Sequence, residues 1–182
     1  MAKEIRKKHV VREWGESIVI ALLAAMFIRT FIVEAFKIPS GSMKPTLEIG
    51  DRIFVSKFIY RYKEPQRGDI VVFRYPENPK KYYVKRLIAV GKEVVGIEDG
   101  SVVINGDVVK DSEILQEFYY YNRGEYGAQD SEVQVPDESL YFLGDNSAFS
   151  KDSRYWGYVP RKNVVGKAFF RFWPLWRVGL VR

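Results

Sequence analysis

The sequence predicts a mainly β chain, an antiparallel β-sheet domain behind one N-terminal transmembrane helix. Three observations carry that expectation. One uncharged run of twelve residues, Ser17 to Ile28, lies near the N-terminus; beyond Asp51 the apolar residues fall in short β-branched and aromatic runs; and those runs are punctuated by Gly, Pro, Asp-Gly and Asn-Gly. With 182 residues the chain has room for an anchor and one domain with a core, while two full domains would be a squeeze.

Residues 1–16 form a basic tail in which Lys3, Arg6, Lys7, Lys8 and Arg12 outnumber Glu4, Glu13 and Glu16. Residues 17–36 are the expected transmembrane anchor. From Ser17 to Val33 there are 17 residues, or about 25 Å of helix against a bilayer core of roughly 30 Å. Trp14 at one interface and Phe36 at the other close the gap, and Arg29 lies far enough toward the end for its long stem to reach the headgroups. The basic flank places the N-terminus in the cytoplasm and residues 37–182 outside. Two other readings fit the same run: a secretory signal peptide with Val33-Glu34-Ala35 as its cleavage site, and a buried helix of a soluble domain.

Strand patterns follow over 52–58, 69–75 and 82–90. Asp99-Gly100 and Asn105-Gly106 then bracket Ser101–Ile104 and lead into 107–110, which reads as a hairpin meander. Residues 111–135, with Tyr119-Tyr120-Tyr121, Gly124 and Gly127, keep no period and are assigned to an irregular excursion. Leu140–Leu143 forms a strand ending at Gly144, and residues 164–172 another; no repeat or low-complexity linker divides residues 37–182, so they form one β-rich domain. In the tail 169–177, Phe170 and Phe172 suit a last strand facing the core, while Trp173 and Trp176 are candidates for membrane contact.

Composition removes much chemistry. Net charge is +6, which suits a nucleic acid or an anionic membrane surface equally well. There is no cysteine, and the single histidine is His9 in the tail, so the domain holds no thiolate nucleophile, no Ser-His-Asp triad and no Cys- or His-based metal site. A serine activated here needs a lysine or a carboxylate. Ser42 lies in the loop Ile38–Leu47, where Pro39 and Pro45 fix φ and Gly41 frees it; the loop suits a presented nucleophile and, equally, a simple turn out of the anchor. A free lysine, with a pKa near 10.4, accepts no proton at neutral pH, and lowering it to about 8 by burial takes roughly 3 kcal/mol. Lys85 has the most strand-like apolar context, sharing a face with Tyr83 and Leu87 while Arg86 joins Val84 and Ile88; an ordinary edge-strand charge fits too. A polar cluster over 144–157 offers Asp152 and Arg154 as a pair and serines to orient a neutral amine.

Five stretches in order resemble the sequence boxes of the bacterial type I signal peptidases: Ser40–Leu47, Gly50–Val55, Arg67–Phe73, Lys85-Arg86, and Gly144-Asp145-Asn146 with Ser150–Arg154 and Trp156-Gly157. The resemblance implies a membrane-anchored serine–lysine endopeptidase, without cofactor or metal, that removes signal peptides from exported preproteins at the outer face of the plasma membrane. Its partners are then preprotein signal peptides and the lipid bilayer, not nucleic acid. Ser42 matches the nucleophile and Lys85 the general base; Ser40, with the Ser42 N–H, matches the oxyanion hole; Ser150 matches the serine that bonds the lysine amine, with Asp145, Asp152 and Arg154 in support. The stretches matching 36–40 and 81–84 edge the substrate cleft, which makes Phe36, Ile38, Pro39, Met43 and Tyr83 substrate-binding residues with pockets for small −1 and −3 side chains. The chain departs from the pattern at Gly91-Lys92-Glu93, at Ser147 where arginine is common, at Phe149 where asparagine is common, and in having one anchor rather than two. A self-cleaving serine–lysine protease of the SOS-repressor kind shares the β core but is soluble, and a membrane-tethered β module without catalysis is a third reading.

Overall fold

A computed structural model of the chain describes residues 14–23, 25–26, 32–109, 115 and 117–181. Residues 14–23 and 25–26 are helical, and among the described residues no helix is long and apolar enough to cross a membrane. Most of the tail, with His9, and Arg29 lie outside the described residues. The expected anchor does not extend to Phe36: Val33–Lys37 form the first strand, β1, antiparallel to β2, Arg52–Ser56, with Phe36 opposite Ile53. Glu34 explains the switch, because within this strand it meets Lys57 at 3.2 Å near the surface, whereas a helix continuing into hydrocarbon would bury its charge unpaired.

Ten further strands follow among the described residues: β3 (Ile70–Tyr75), β4 (Asn78–Val90), β5 (Val94–Glu98), β6 (Ser101–Ile104), β7 (Asp107–Val108), β8 (Val133–Gln134), β9 (Ser139–Leu143), β10 (Val159–Pro160), β11 (Val164–Trp173) and β12 (Gly179–Leu180). The larger sheet runs β1-β2-β11-β3-β4-β9-β10, with β12 on β11, and the smaller β7-β6-β5-β8. All pairings are antiparallel, as the short connections allow. Both turns of the smaller sheet carry positive φ at two consecutive residues, Asp99 (46°) with Gly100 (79°) and Asn105 (54°) with Gly106 (87°), which is what the type I′ hairpin requires.

Burial follows the strands. Val71, Val72, Phe73, Leu87, Ile88, Phe142 and Leu143 are fully buried, and Phe73 stacks on Phe142 at 4.5 Å. A second cluster joins Val95, Ile97, Val102 and Ile104 of the smaller sheet to Tyr141 and Leu143 of β9, so the smaller sheet packs as part of the same domain. The excursion 111–135 is irregular, as its lack of period suggests, but it is tied down: Tyr120 is fully buried with its N–H donating to Gly100 O at 2.8 Å, and β8 pairs with β5. In the last long strand Phe172 stacks on Phe54 at 4.3 Å, while Trp173 and Trp176 stay exposed.

Two features of the larger sheet create the site. β4 pairs with β3 along Asn78–Arg86 but with β9 only from Arg86 onward, so the β9-side edge of residues 81–84 carries no strand. β1, at the end of the sheet, has β2 as its one strand neighbour among the described residues. The sheet curls enough to bring these edges together, since Phe36 of β1 packs edge-on against Tyr82 of β4 at 5.5 Å although three strands separate them in sheet order.

The core predicts its own sensitivity. Phe142→Ala should lower the unfolding free energy by about 3–5 kcal/mol in urea titrations followed by tryptophan fluorescence, whereas Trp176→Ala should change it by less than about 0.5 kcal/mol.

Candidate active site

The loop between β1 and β2 is pinned from below. Met43 and Leu47 are buried among Ile38, Ile53, Val55, Ile70 and Val72, and the Leu47 N–H bonds Met43 O at 2.8 Å. With both apolar residues drawn into the core, Ser42 is left partly buried at the edge of an open cleft.

Lys85 reaches that serine from β4. Its side chain lies on the Tyr83 face, with Nζ 5.7 Å from that ring's centre, and Nζ stands 2.5 Å from Ser42 Oγ. The residue is 4% exposed, and burial pushes its pKa down to about 8; the Asp152 and Asp145 carboxylates pull the other way, and the Arg154 guanidinium adds to the lowering. An amine near pH 8 holds a substantial neutral fraction under physiological conditions, which is the condition for accepting a hydroxyl proton.

The next residue points elsewhere. Arg86 is fully buried and meets Asp145 in a fork, Nε to Oδ1 at 2.7 Å and Nη2 to Oδ2 at 2.6 Å, while Nη1 donates to Gly68 O. The Thr46 hydroxyl, four residues past Ser42, donates to the same carboxylate.

The 144–154 loop closes the site behind Ser42 and Lys85. Asp152 takes a fork from Arg154, Nε to Oδ1 and Nη2 to Oδ2, both at 2.8 Å, and accepts the Gly144 N–H at 3.0 Å. Arg154 also donates to Tyr121 O, Ser147 Oγ and Ser147 O, so a residue of the irregular excursion is stitched to the 144–154 loop. Ser147 thus completes the hydrogen bonding at the position where the resemblance expects arginine, and its hydroxyl further accepts the Tyr121 N–H. Asn146 bonds Ser42 O through its N–H and Gly41 O through Nδ2. Gly144 is where the loop passes closest, since a Cβ there would lie 2.2 Å from Ser150 Oγ and 2.5 Å from Ser42 O.

Ser150 differs from expectation. Among the described residues its buried hydroxyl has no hydrogen-bond partner, and it packs against Gly144 beside the main chain of Ser42 rather than bonding the lysine amine, whose nearby acceptor is Ser42 Oγ. Ser40 is exposed at the cleft wall.

The cleft itself is about 600 Å³ and is lined by Phe36, Ile38, Pro39, Ser40, Ser42, Met43, Tyr83 and Lys85, which brings every expected substrate-binding residue to one surface. Lys37, Tyr82, Val84, Phe149 and Lys151 complete the lining. Among the described residues no group of three or more His, Cys, Asp or Glu side chains converges as a metal site.

Residues 11–173 match the family model described as signal peptidase, peptidase S26. This chain belongs to that family. It is therefore a peptidase, a hydrolase of peptide bonds. Among family relatives, a probable signal peptidase I-2 of Synechocystis is 41% identical over 98% of this chain and 81% of its own length. A signal peptidase I of Leptolyngbya laminosa is 42% identical over 90% of this chain and 80% of its own, and signal peptidase I T of Bacillus subtilis 36% over 93% and 89%. A crystal structure of a signal peptidase I from Enterococcus faecalis aligns at a TM-score of 0.44 and 30% identity, covering 58% of this chain and 97% of that one.

Among the site residues that carried no expected role are Arg86, Thr46 and Asn146. Arg86 left a signal, because a second cation inside an apolar strand needs a buried carboxylate somewhere in the fold. Thr46 and Asn146 left none, since their partners lie 99 and 105 residues away in the chain.

Close packing at Gly144 makes a sharp test. Gly144→Ala should displace Ser42 or Ser150 and lower kcat by about two orders of magnitude or more, with the circular dichroism spectrum unchanged.

Proposed function

We propose that this peptidase cleaves N-terminal signal peptides from exported preproteins with a Ser42–Lys85 dyad, and that the domain works at the outer face of the plasma membrane. The observation that carries the reading is the 2.5 Å approach of Ser42 Oγ to a lysine amine that is buried and shifted to about 8. With the amine neutral, the hydroxyl donates to its lone pair, and Oγ attacks the scissile carbonyl as the proton passes to Nζ. The Ser42 N–H and the Ser40 hydroxyl hold the oxyanion, a donor of this kind being worth about 3 kcal/mol in the transition state. Lys85 then returns its proton to the leaving amine, and the acyl-enzyme is hydrolysed by a water that Lys85 deprotonates. Ser150 is assigned to the amine as well. A buried hydroxyl without a partner is costly by about 1–3 kcal/mol, and rotation toward Nζ would satisfy it as charge develops there. The Asp145–Arg86 and Asp152–Arg154 pairs hold the frame.

Substrate geometry follows from the two free edges. A peptide laid between β1 and the 81–84 edge of β4 would satisfy main-chain groups on both sides, with alternate side chains turned toward Phe36, Ile38, Met43 and Tyr83. Little depth remains once Met43 and Ile38 fill the floor, which favours small −1 and −3 residues such as alanine. The membrane assignment is supported by Ile18, Val19, Ile20, Leu22, Leu23 and Met26, all more than half exposed in the helical residues 14–23 and 25–26, and by exposed Trp173, Leu175 and Trp176 at the other end of the chain.

Purified full-length protein in detergent should cleave a preprotein with alanine at −1 and −3 once, after the −1 residue. Ser42→Ala and Lys85→Ala should each abolish that cleavage, and full activity in either overturns the dyad. Protonated Lys85 is no base, so kcat/KM should fall about tenfold per unit below pH 8 and level off above it; a limb near 10.4 contradicts the buried amine. For the surface, the double change Trp173→Ala with Trp176→Ala should weaken sedimentation of the protein with anionic vesicles, while hydrolysis of a short soluble peptide stays within about twofold.

A further inference from the structure

We propose that Asn146 is the positioning residue that aims the Ser42 N–H as an oxyanion donor and fixes the direction of the Ser42 side chain. The inference rests on Ser42 being the nucleophile. Two peptide planes meet at the Ser42 Cα, and Asn146 holds the carbonyl of each: Nδ2 donates to Gly41 O at 3.0 Å, and the backbone N–H donates to Ser42 O at 3.1 Å. The Gly41–Ser42 peptide is trans, so its N–H points opposite to its C=O. With Gly41 O drawn toward Asn146 and also bonded by the Lys44 N–H at 3.2 Å, the Ser42 N–H is turned from Asn146, and it has no acceptor among the described residues. That leaves it free for the charge that develops in the transition state.

Fixing both planes also fixes φ and ψ at Ser42, and with them the Cα–Cβ bond that carries Oγ toward Lys85. Asn146 is itself placed by its neighbour. Asp145 forks onto Arg86, and Arg86 follows Lys85 on β4, so one short bracket of adjacent residues sets the base against the nucleophile. Asn146 touches neither substrate nor proton; it acts through Ser42.

The test uses full-length protein in detergent with three variants. Asn146→Ala removes the side-chain donor, Asn146→Asp keeps the shape but presents an acceptor to Gly41 O, and Arg123→Ala loosens the same loop elsewhere by removing the bond to Ala148 O. Both Asn146 variants should lower kcat about 10–100-fold with KM within about threefold, whereas Arg123→Ala should stay within about twofold of the parent. Affinity for a peptide boronate, whose adduct on Ser42 is tetrahedral, should fall in step with kcat, while affinity for the cleaved signal-peptide product stays level and the acidic limb of the pH profile does not move. A kcat for Asn146→Asp within threefold of the parent overturns the proposal. A lost kcat with boronate affinity intact, or a melting temperature lowered by more than about 10 °C in both variants, assigns Asn146 to loop bracing and overturns it equally. Failure of the parent protein to cleave any preprotein counts against the proposed function alone, because boronate binding reads the Ser42 geometry without one.

Discussion

The ion pair between Arg86 and Asp145, with both side chains fully buried, is the constraint on which the rest depends. A buried pair of this kind contributes little net stability over an apolar pair of the same volume, yet losing one partner leaves a charge stranded in the core at about 3–5 kcal/mol. Its value is registry. β4 and β9 would pair through their apolar residues in several offsets, and the fork accepts one. That single offset places Lys85 one residue before the fork on β4 and Asn146 one residue after it beyond β9, on either side of Ser42.

The lysine's burial is the second requirement, and it conflicts with the first. Carboxylates near an amine keep it charged, and Asp145 and Asp152 both act in that sense on Lys85. Each is already engaged by an arginine fork, so much of its field is neutralised before it reaches Nζ, and desolvation prevails. The two arginines therefore favour a neutral Lys85 indirectly, by occupying the acids that would otherwise hold its proton in place.

Local pattern in the sequence was enough to place the longer strands β2, β3, β4, β6, β9 and β11 and the turns at Asp99-Gly100 and Asn105-Gly106, because alternation and Asn-Gly or Asp-Gly chemistry are properties of neighbouring residues; the short strands β8, β10 and β12 left no such pattern. β1 was not legible. Val33–Phe36 continue an apolar run, and only pairing with β2 separates strand from helix there. Elimination, in a domain without imidazole or thiol, left a lysine or a carboxylate to activate a serine, and the resemblance in the order of motifs singled out Ser42 and Lys85 as candidates. What local pattern could not supply were long-range partners: Thr46 to Asp145, Asn146 to Gly41, and Tyr121 to Arg154 each join segments that share no periodicity. Ser150 is the converse case: order in the chain suggested a bond to the lysine amine, and among the described residues its hydroxyl instead packs without a partner against Gly144 beside the Ser42 main chain.

The pairing of Ser42 with a buried lysine, if it is the dyad proposed above, also determines what can attack this site from outside. Reagents that silence hydrolases by alkylating an imidazole or capping a thiol find neither group in the domain, whose one histidine belongs to the N-terminal tail. What the cleft offers instead is a hydroxyl and an amine side by side, the amine screened from bulk solvent and uncharged over part of the physiological range. An electrophile that tolerates both groups, carried on a slender extended peptide, fits that chemistry.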